Sequence, residues 1–370
     1  QFFPQINGGA DATTNYGSPN ANQVPPGGNR RSESYNLSGF LSWELDLWGS
    51  IQRNNQAARA RLLQAQYQRD GVQTLLIAAV ASAYVDLKNL DERLAIVRRT
   101  VESRKISLDL VKSRKDGGVS SDIEVRQAES LLAQAQVLIP TTELGIATKE
   151  NEIRALLGEY PGGITRGGSF DSLEKVTRIS AGLPSSLIAR RPDVAAADQN
   201  FQAATAQIGV AEALRFPTLS LTGRGGLMSA ELHNLLEGRS GAFSFGPNLT
   251  GPLFDAGNRR ARVEGAKAAA KTAMAEYDGA VKTAFREAAD AIIFYQKTDQ
   301  IISEQKRLVT AQSAAAQLSM ERFKGGVTSY LEVLDSERNL FNSELNLADA
   351  RADRMRAVVQ AYRALGGGWK

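Results

Sequence analysis

Two stretches of this chain, GGVSSDIEVRQAE from Gly117 and GGVTSYLEVLDSE from Gly325, nearly repeat one another 208 residues apart (325 − 117). The same offset carries Leu157-Gly158 onto Leu365-Gly366, and Trp48-Gly49 is answered, with a short insertion, by Phe254 and Gly257. A register held over such a span marks an internal duplication. Whatever the chain folds into, it is one unit written twice.

Each copy contains helices too long for an ordinary globule. From Ser50 to Ser113 there is no Pro, and Gly71 is the only Gly. About 60 helical residues would reach about 90 Å at 1.5 Å each. Within that run Leu76, Val80, Ala83, Leu87, Leu90, Leu94, Val97, Val101, Arg104, Leu108 and Val111 step by alternating four and three. All but Arg104 are apolar, which makes a sustained heptad seam. After Gly117-Gly118 a second helix returns on Ala128, Leu132, Ala135, Ile139, Ile146, Ile153 and Leu156; Thr142 and Lys149 interrupt it, and Pro140 should kink it. Gly158 ends it. The second copy repeats the scheme from Asn258 to about Lys324, through Gly325-Gly326, and on from Tyr330 to Leu365, with a seam richer in Ala. Each GGV phrase is therefore read as a turn between two long antiparallel helices. Ala, Gln, Arg, Leu and Glu dominate these stretches, as long helices require.

Ahead of each helical pair lie segments of period two. In SYNLSGFLSWELDLW the odd positions Tyr35, Leu37, Leu41, Trp43, Leu45 and Leu47 are apolar, and the even ones include Glu44 and Asp46. Leu219, Leu221 and Leu227 alternate with Ser220, Thr222 and Arg224; Phe243, Phe245, Leu249 and Leu253 alternate with Ser244, Asn248 and Thr250; Phe3 to Tyr16 is a weaker fourth case. Alternation alone fits a soluble sandwich edge as well. The run lengths match the 9–11 residues of a tilted membrane strand. Four strands fall short of the smallest barrels, which need about eight, and lipid forbids an open edge. If the strands span a membrane, several chains must share one barrel. Its lumen would then be lined by Glu44, Asp46 and Arg224.

The stretch from Gly182 to Gly223, GLPSSLIARRPDVAAADQNFQAATAQIGVAEALRFPTLSLTG, resembles the region joining the repeats in outer-membrane efflux channels, the outer-membrane factors of Gram-negative tripartite pumps. Leu183-Pro184-Ser185, Arg190-Arg191-Pro192-Asp193, Ile208-Gly209 and Phe216-Pro217 carry the likeness, supported by KGGVTSYLEVLDSERNLF, the ending ALGGGW and the Trp43–Gly49 stretch. It covers essentially the whole chain and is closest to the drug-exporting branch that works with resistance-nodulation-division pumps. Pro192 suits a helix's first turn and Asp193 its positive end; Arg190, Arg191, Pro192, Asp193, Phe216 and Pro217 are read as a structural motif.

The resemblance implies a mixed membrane protein, all-α apart from a shared β-barrel. Its repeat is strand, strand, long helix, long helix. Three chains would form a twelve-stranded outer-membrane barrel continuous with a periplasmic α-helical barrel. The expected divisions are 1–48 for the first β-hairpin, 49–158 for the first helical hairpin, 159–215 for the linker and equatorial segment, 216–254 for the second β-hairpin and 255–370 for the second helical hairpin. The implied partners are two further copies, a periplasmic adaptor (membrane fusion) protein, an inner-membrane resistance-nodulation-division pump and the lipid bilayer. Gly117, Gly118, Val119, Gly325, Gly326 and Val327 are the expected adaptor-docking turns. Leu331, Glu332, Asp335 and Arg338 are the expected periplasmic gate. Read 208 residues earlier, Leu331, Asp335 and Arg338 become Ile123, Gln127 and Ser130, so the first copy lacks both charges. One departure stands out: Phe3-Pro4 aligns with Phe216-Pro217, yet no Arg-Arg-Pro-Asp helix precedes it. Many family members also begin at a lipidated Cys. The chain opens on QFFPQI without an initiator Met, reads as processed or trimmed, and leaves acylation undecided.

No enzymatic constellation emerges, and no cofactor or metal site is expected. There is no Cys. His233, the only His, has no spaced carboxylates around it, and GRGG has neither the spacing nor the helix of a phosphate loop. Glu44 and Asp46 could pair as in a glycosidase, but a shared strand face fits pore polarity better. The net charge of +4, without basic runs interleaved with aromatics, disfavours nucleic acid. No apolar run reaches the length of a membrane helix. Passive export of small molecules is the expected function. A non-conducting coiled-coil adaptor is the alternative, and a secreted polypeptide or metal ion the alternative cargo; the scattered Met228, Met274, Met320 and Met355 make no soft-metal ladder.

Overall fold

The computed structural model describes residues 2–18, 30–168 and 190–366. Leu183-Pro184-Ser185 of the joining motif and Trp369 of the C-terminal one lie outside the described residues. Strands β1 (Gln5–Tyr16), β2 (Arg31–Leu45), β3 (Thr218–Ser229) and β4 (Gly241–Thr250) form one antiparallel sheet in that order. Helices α1 (Ser50–Asp116) and α2 (Asp122–Leu156) follow the first pair of strands, and α4 (Asn258–Lys324) and α5 (Tyr330–Ala364) follow the second, while α3 (Pro192–Ala213) precedes β3. The duplication is carried into the lengths: α1 and α4 each have 67 residues, α2 and α5 each 35. The positive-φ glycines among the described residues are three pairs at the sequence offset, Gly49 with Gly257, Gly118 with Gly326 and Gly158 with Gly366. Only glycine enters that region freely, so each pair fixes an equivalent helix boundary.

The chain groups into two compact units, Gln1–Gln66 with Ala196–Asp278, and Tyr67–Ala195 with Gly279–Lys370. The first holds the sheet. Its central pairing joins the two repeats: β2 lies against β3 from Tyr35 opposite Ser229 to Leu45 opposite Leu219. Paired residues share a face and successive residues alternate. One face therefore gathers Ile6, Leu37, Leu41, Trp43, Leu221, Phe243, Phe245 and Leu249; the other gathers Asn7, Asp11, Ser38, Glu44, Ser220, Thr222, Arg224 and Asn248. Trp48 stacks on Phe216 with centroids 4.6 Å apart, and its Nε1 donates to the Pro217 carbonyl at 2.8 Å.

The second strand of each pair stops earlier than its alternation suggests, β2 at Leu45 and β4 at Thr250. Asp46, expected on the strand's polar face, is instead bent back to α1. Its carboxylate accepts from the amides of Ile51 at 2.9 Å and Gln52 at 2.7 Å, satisfying donors that a helix start leaves free. Asp255 does the same for α4, accepting from Gly257 and Arg259. Leu253 likewise lies past β4.

The second unit holds the helical core. From Ala83 to Val111 every seam position of α1 is buried or half-buried, whereas Leu76 is exposed. Leu108 and Val111 of α1, Val125 and Ala128 of α2, Phe323 of α4 and Tyr330 and Val333 of α5 close into one cluster beside the two turns. The interruptions in α2 have partners: the Thr142 hydroxyl donates to the Leu138 carbonyl, and Lys149 bridges Asp86 of α1 and Glu152. Pro140 stands inside α2, which continues through it to Leu156. One 18-residue window of α1 is apolar enough to count as a marginal membrane-crossing helix, where the sequence reading finds no such run; the helix extends well beyond it.

Candidate functional site

The two turns share one hydrogen-bond pattern. Val119 N donates to the Arg114 carbonyl and Gly118 N to that of Lys115; Val327 N donates to Arg322 and Gly326 N to Phe323. This is the paired closure in which a left-handed glycine satisfies the last carbonyls of a helix. Gly118 and Gly326 supply the positive φ, +75° and +71°. Val119 and Val327 stand out into solvent, each about two-thirds exposed or more. The turns present a small apolar knob on a tightly closed tip.

Beyond the turns the copies diverge. At α2, Ser121 and Glu124 make a reciprocal capping box, with Ser121 N donating to Glu124 at 2.9 Å. At α5, Glu332 is taken up by the Thr328 hydroxyl and lies 3.7 Å from Arg322, and Ser329 makes no side-chain cap. Leu331, Asp335 and Arg338 fall on one solvent-facing stripe of α5. Arg338 donates to Asp335 at 2.7 Å, and Asn339 donates to its second oxygen at 3.1 Å. The opposite stripe, Tyr330, Val333 and Phe341, is buried. Leu331, Asp335 and Arg338, three of the four residues expected to form a gate, are thus brought together on a solvent-facing surface, with Glu332 turned aside to the turn.

One buried group escaped sequence reasoning. Arg104, the only charge in the α1 seam, is 4% exposed. Its Nη1 donates to the Leu131 carbonyl at 2.7 Å and its guanidinium lies 5.1 Å from the Phe341 centroid. Glu337 of α5 faces the same space and accepts from Ser107 Oγ at 2.9 Å. Burial pushes the Glu337 carboxyl above its ordinary range, more than the Ser107 hydrogen bond and Arg104 pull it down, and burial lowers Arg104. Tyr330 is pushed up by burial and by Glu337. A cavity of about 150 Å³ adjoins the group. The break in the heptad at Arg104 was its signal.

The joining motif is tied into helical packing. Pro192 is the first residue of α3. Arg191, buried, donates to Asp193, to Glu287 of α4 at 2.8 Å and to the Ala364 carbonyl of α5 at 3.2 Å. Burial alone would lower this guanidinium, but its two carboxylates hold it above its ordinary value. Arg190 is exposed. Glu44 and Arg224 share the sheet's polar face; Asp46 does not.

Known proteins share this architecture. The family model described as "Outer membrane efflux protein" matches residues 1–159 and 183–367. The solvent efflux pump outer membrane protein SrpC of Pseudomonas putida is 34% identical over 346 residues, covering 93% of this chain and 73% of the relative. Outer membrane protein OprJ of Pseudomonas aeruginosa is 34% identical over 359 residues, covering 92% and 72%. Among solved structures, the outer-membrane channel OprN superposes with a TM-score of 0.91 at 32% identity, covering 100% of this chain and 82% of that one. The open-state MtrE outer membrane channel of Neisseria gonorrhoeae gives 0.88 at 29% identity, covering 99% and 81%.

Proposed function

This chain belongs to the outer membrane efflux protein family, and from that premise we propose how three copies build the outer-membrane exit duct of a tripartite efflux pump. It is a transport duct of the outer membrane and not an enzyme. In the reading proposed, each copy donates four strands to a twelve-stranded barrel and its helices to a periplasmic tube. The observation that carries it is the sheet itself. Past the Arg31 and Glu33 end, one face is apolar from Ile6 and Leu41 to Leu221 and Phe245, and its outer strands are open, with Phe243 at 91% and Ile6 at 77% exposed, an apolar surface that a soluble monomer rarely leaves to water. The other face is polar, and among the described residues β1 and β4 end the sheet without strand partners. Lipid on the apolar face and water on the polar one, with the edges closed by neighbouring copies, satisfies every group.

Glu44 and Arg224 then line the lumen. Gly117-Gly118-Val119 and Gly325-Gly326-Val327 form the tips that meet the adaptor, itself bound to a resistance-nodulation-division pump. Leu331, Asp335 and Arg338 ring the axis as the gate, with Glu332 bracing the neighbouring turn. The pump supplies the energy and the duct conducts passively. Purified protein added to a planar bilayer should produce discrete conductance steps. A preparation that binds adaptor yet never conducts would instead support a non-conducting envelope scaffold.

A further inference from the structure

The polar face of the sheet carries a built recess. At one level across the four strands stand Asn7, Phe40, Arg224 and Ser244. The next level is Gly9, Ser38, Gly226 and Ala242, and above it Asn36 pairs with Met228. The recess between Arg224 and Asn36 measures about 210 Å³. It cannot be filled from Gly226, because a Cβ there would sit 2.2 Å from the Leu37 carbonyl oxygen. Cavities of about 150 Å³ hold benzene.

The chemistry at its floor is specific. Arg224 is the one cation on this face among the described strand residues; Asp11 and Glu44 are the anions. The Asp11 carboxylate is taken by Asn36 Nδ2 at 3.0 Å, and Glu44 lies two levels away on the far side of Arg224. The guanidinium lies 5.0 Å from the centroid of Phe40. That contact orients the cation without using its N–H donors. The hollow opens on the Arg224 fork and on the apolar Met228 and Ala242, a pairing that matches a carboxylate carried on a flat apolar body.

We propose that this recess is a station for aromatic carboxylates on the lumen wall, with Arg224, held over Phe40, clamping the carboxylate and Met228 meeting the ring. The proposal rests on the duct reading for the lumen and for the presence of three such stations. It makes the barrel wall a participant in selecting or retaining organic anions.

The probe is 4-fluorobenzoate, followed by ¹⁹F line broadening with the purified full-length chain in detergent. Saturable broadening is expected with the parent. Arg224→Gln should weaken it at least tenfold, and Arg224→Lys should be intermediate because it keeps charge and loses the fork. Ala242→Leu should weaken it about as strongly by filling the hollow while leaving every charge. Arg224 is exposed, so the variants should keep the parent's oligomer on native gels. Broadening that ignores both Arg224→Gln and Ala242→Leu overturns the station. The same samples are examined in bilayers with benzoate on the extracellular side, where parent current should fall and Arg224→Gln current should not. Conductance without Arg224-dependent binding overturns the station and leaves the duct. Arg224-dependent binding without conductance overturns the duct and leaves the station, and neither overturns both.

Discussion

Arg104 and Glu337 show how one residue can defy its periodic setting and still be placed by it. The seam demands burial at position 104, and a guanidinium there survives because Leu131, Phe341 and Glu337 surround it. The carboxyl raised by burial has a definite pH sign. Its favourable contribution is complete below the ordinary carboxylate range and is lost as pH rises through its raised value. Glu337→Gln mimics the protonated form and should slow hydrogen exchange of the α5 amides at pH 7, with the difference vanishing in acid. Faster exchange in the variant at neutral pH would mean that the ionised pair is net stabilising. Asp335 and Arg338 stand differently, as an exposed i,i+3 pair worth only about a few tenths of a kcal/mol to one chain. Their double replacement by Ala should therefore barely move the assembly's melting temperature while raising single-channel conductance and admitting large antibiotics. Unchanged conductance and permeability would place the gate elsewhere.

At the scale of elements, the turns are what the duplication preserves most strictly. Gly118 and Gly326 adopt the same positive φ and the same closing bonds, and neither has a neighbour within 4 Å of where a Cβ would stand. A bulky residue there meets backbone strain rather than a clash, at a cost of about 1 kcal/mol. Against the packed cluster beside it, from Leu108 to Val333, that strain should distort the tip without unfolding the hairpin. Gly118→Leu and Gly326→Leu should lower efflux severalfold while outer-membrane levels stay near normal. Adaptor cross-linking should fall in parallel, and normal cross-linking with normal efflux would leave the glycines as simple turn formers.

For the whole molecule the decisive fact is a four-stranded sheet that, among the described residues, is open at both edges. The apolar face is exposed, and among the described residues the two edges are unpaired. Mass spectrometry from detergent should give a trimer mass without monomer at micromolar protein. A stable monomer would show that the edges are covered in some other way.

Much of this was legible from residues alone. The 208-residue offset, the period-two faces and the four-three seam are local, because side-chain direction follows from backbone geometry within a few residues. The glycines at 49, 118 and 158 and their partners needed no tertiary information, since positive φ is a property of one residue. What the sequence could not settle depended on distant partners. That β2 pairs with β3 across the repeats is a register choice among strands remote in sequence. That Asp46 leaves the strand to cap α1 turns on the chain bend at Gly49. Arg104 came to share a cavity with Glu337, and Gly226 to leave a hollow beside Arg224, only once elements far apart in sequence had packed together. Periodicity determines which face a side chain takes; what that face meets is decided by packing.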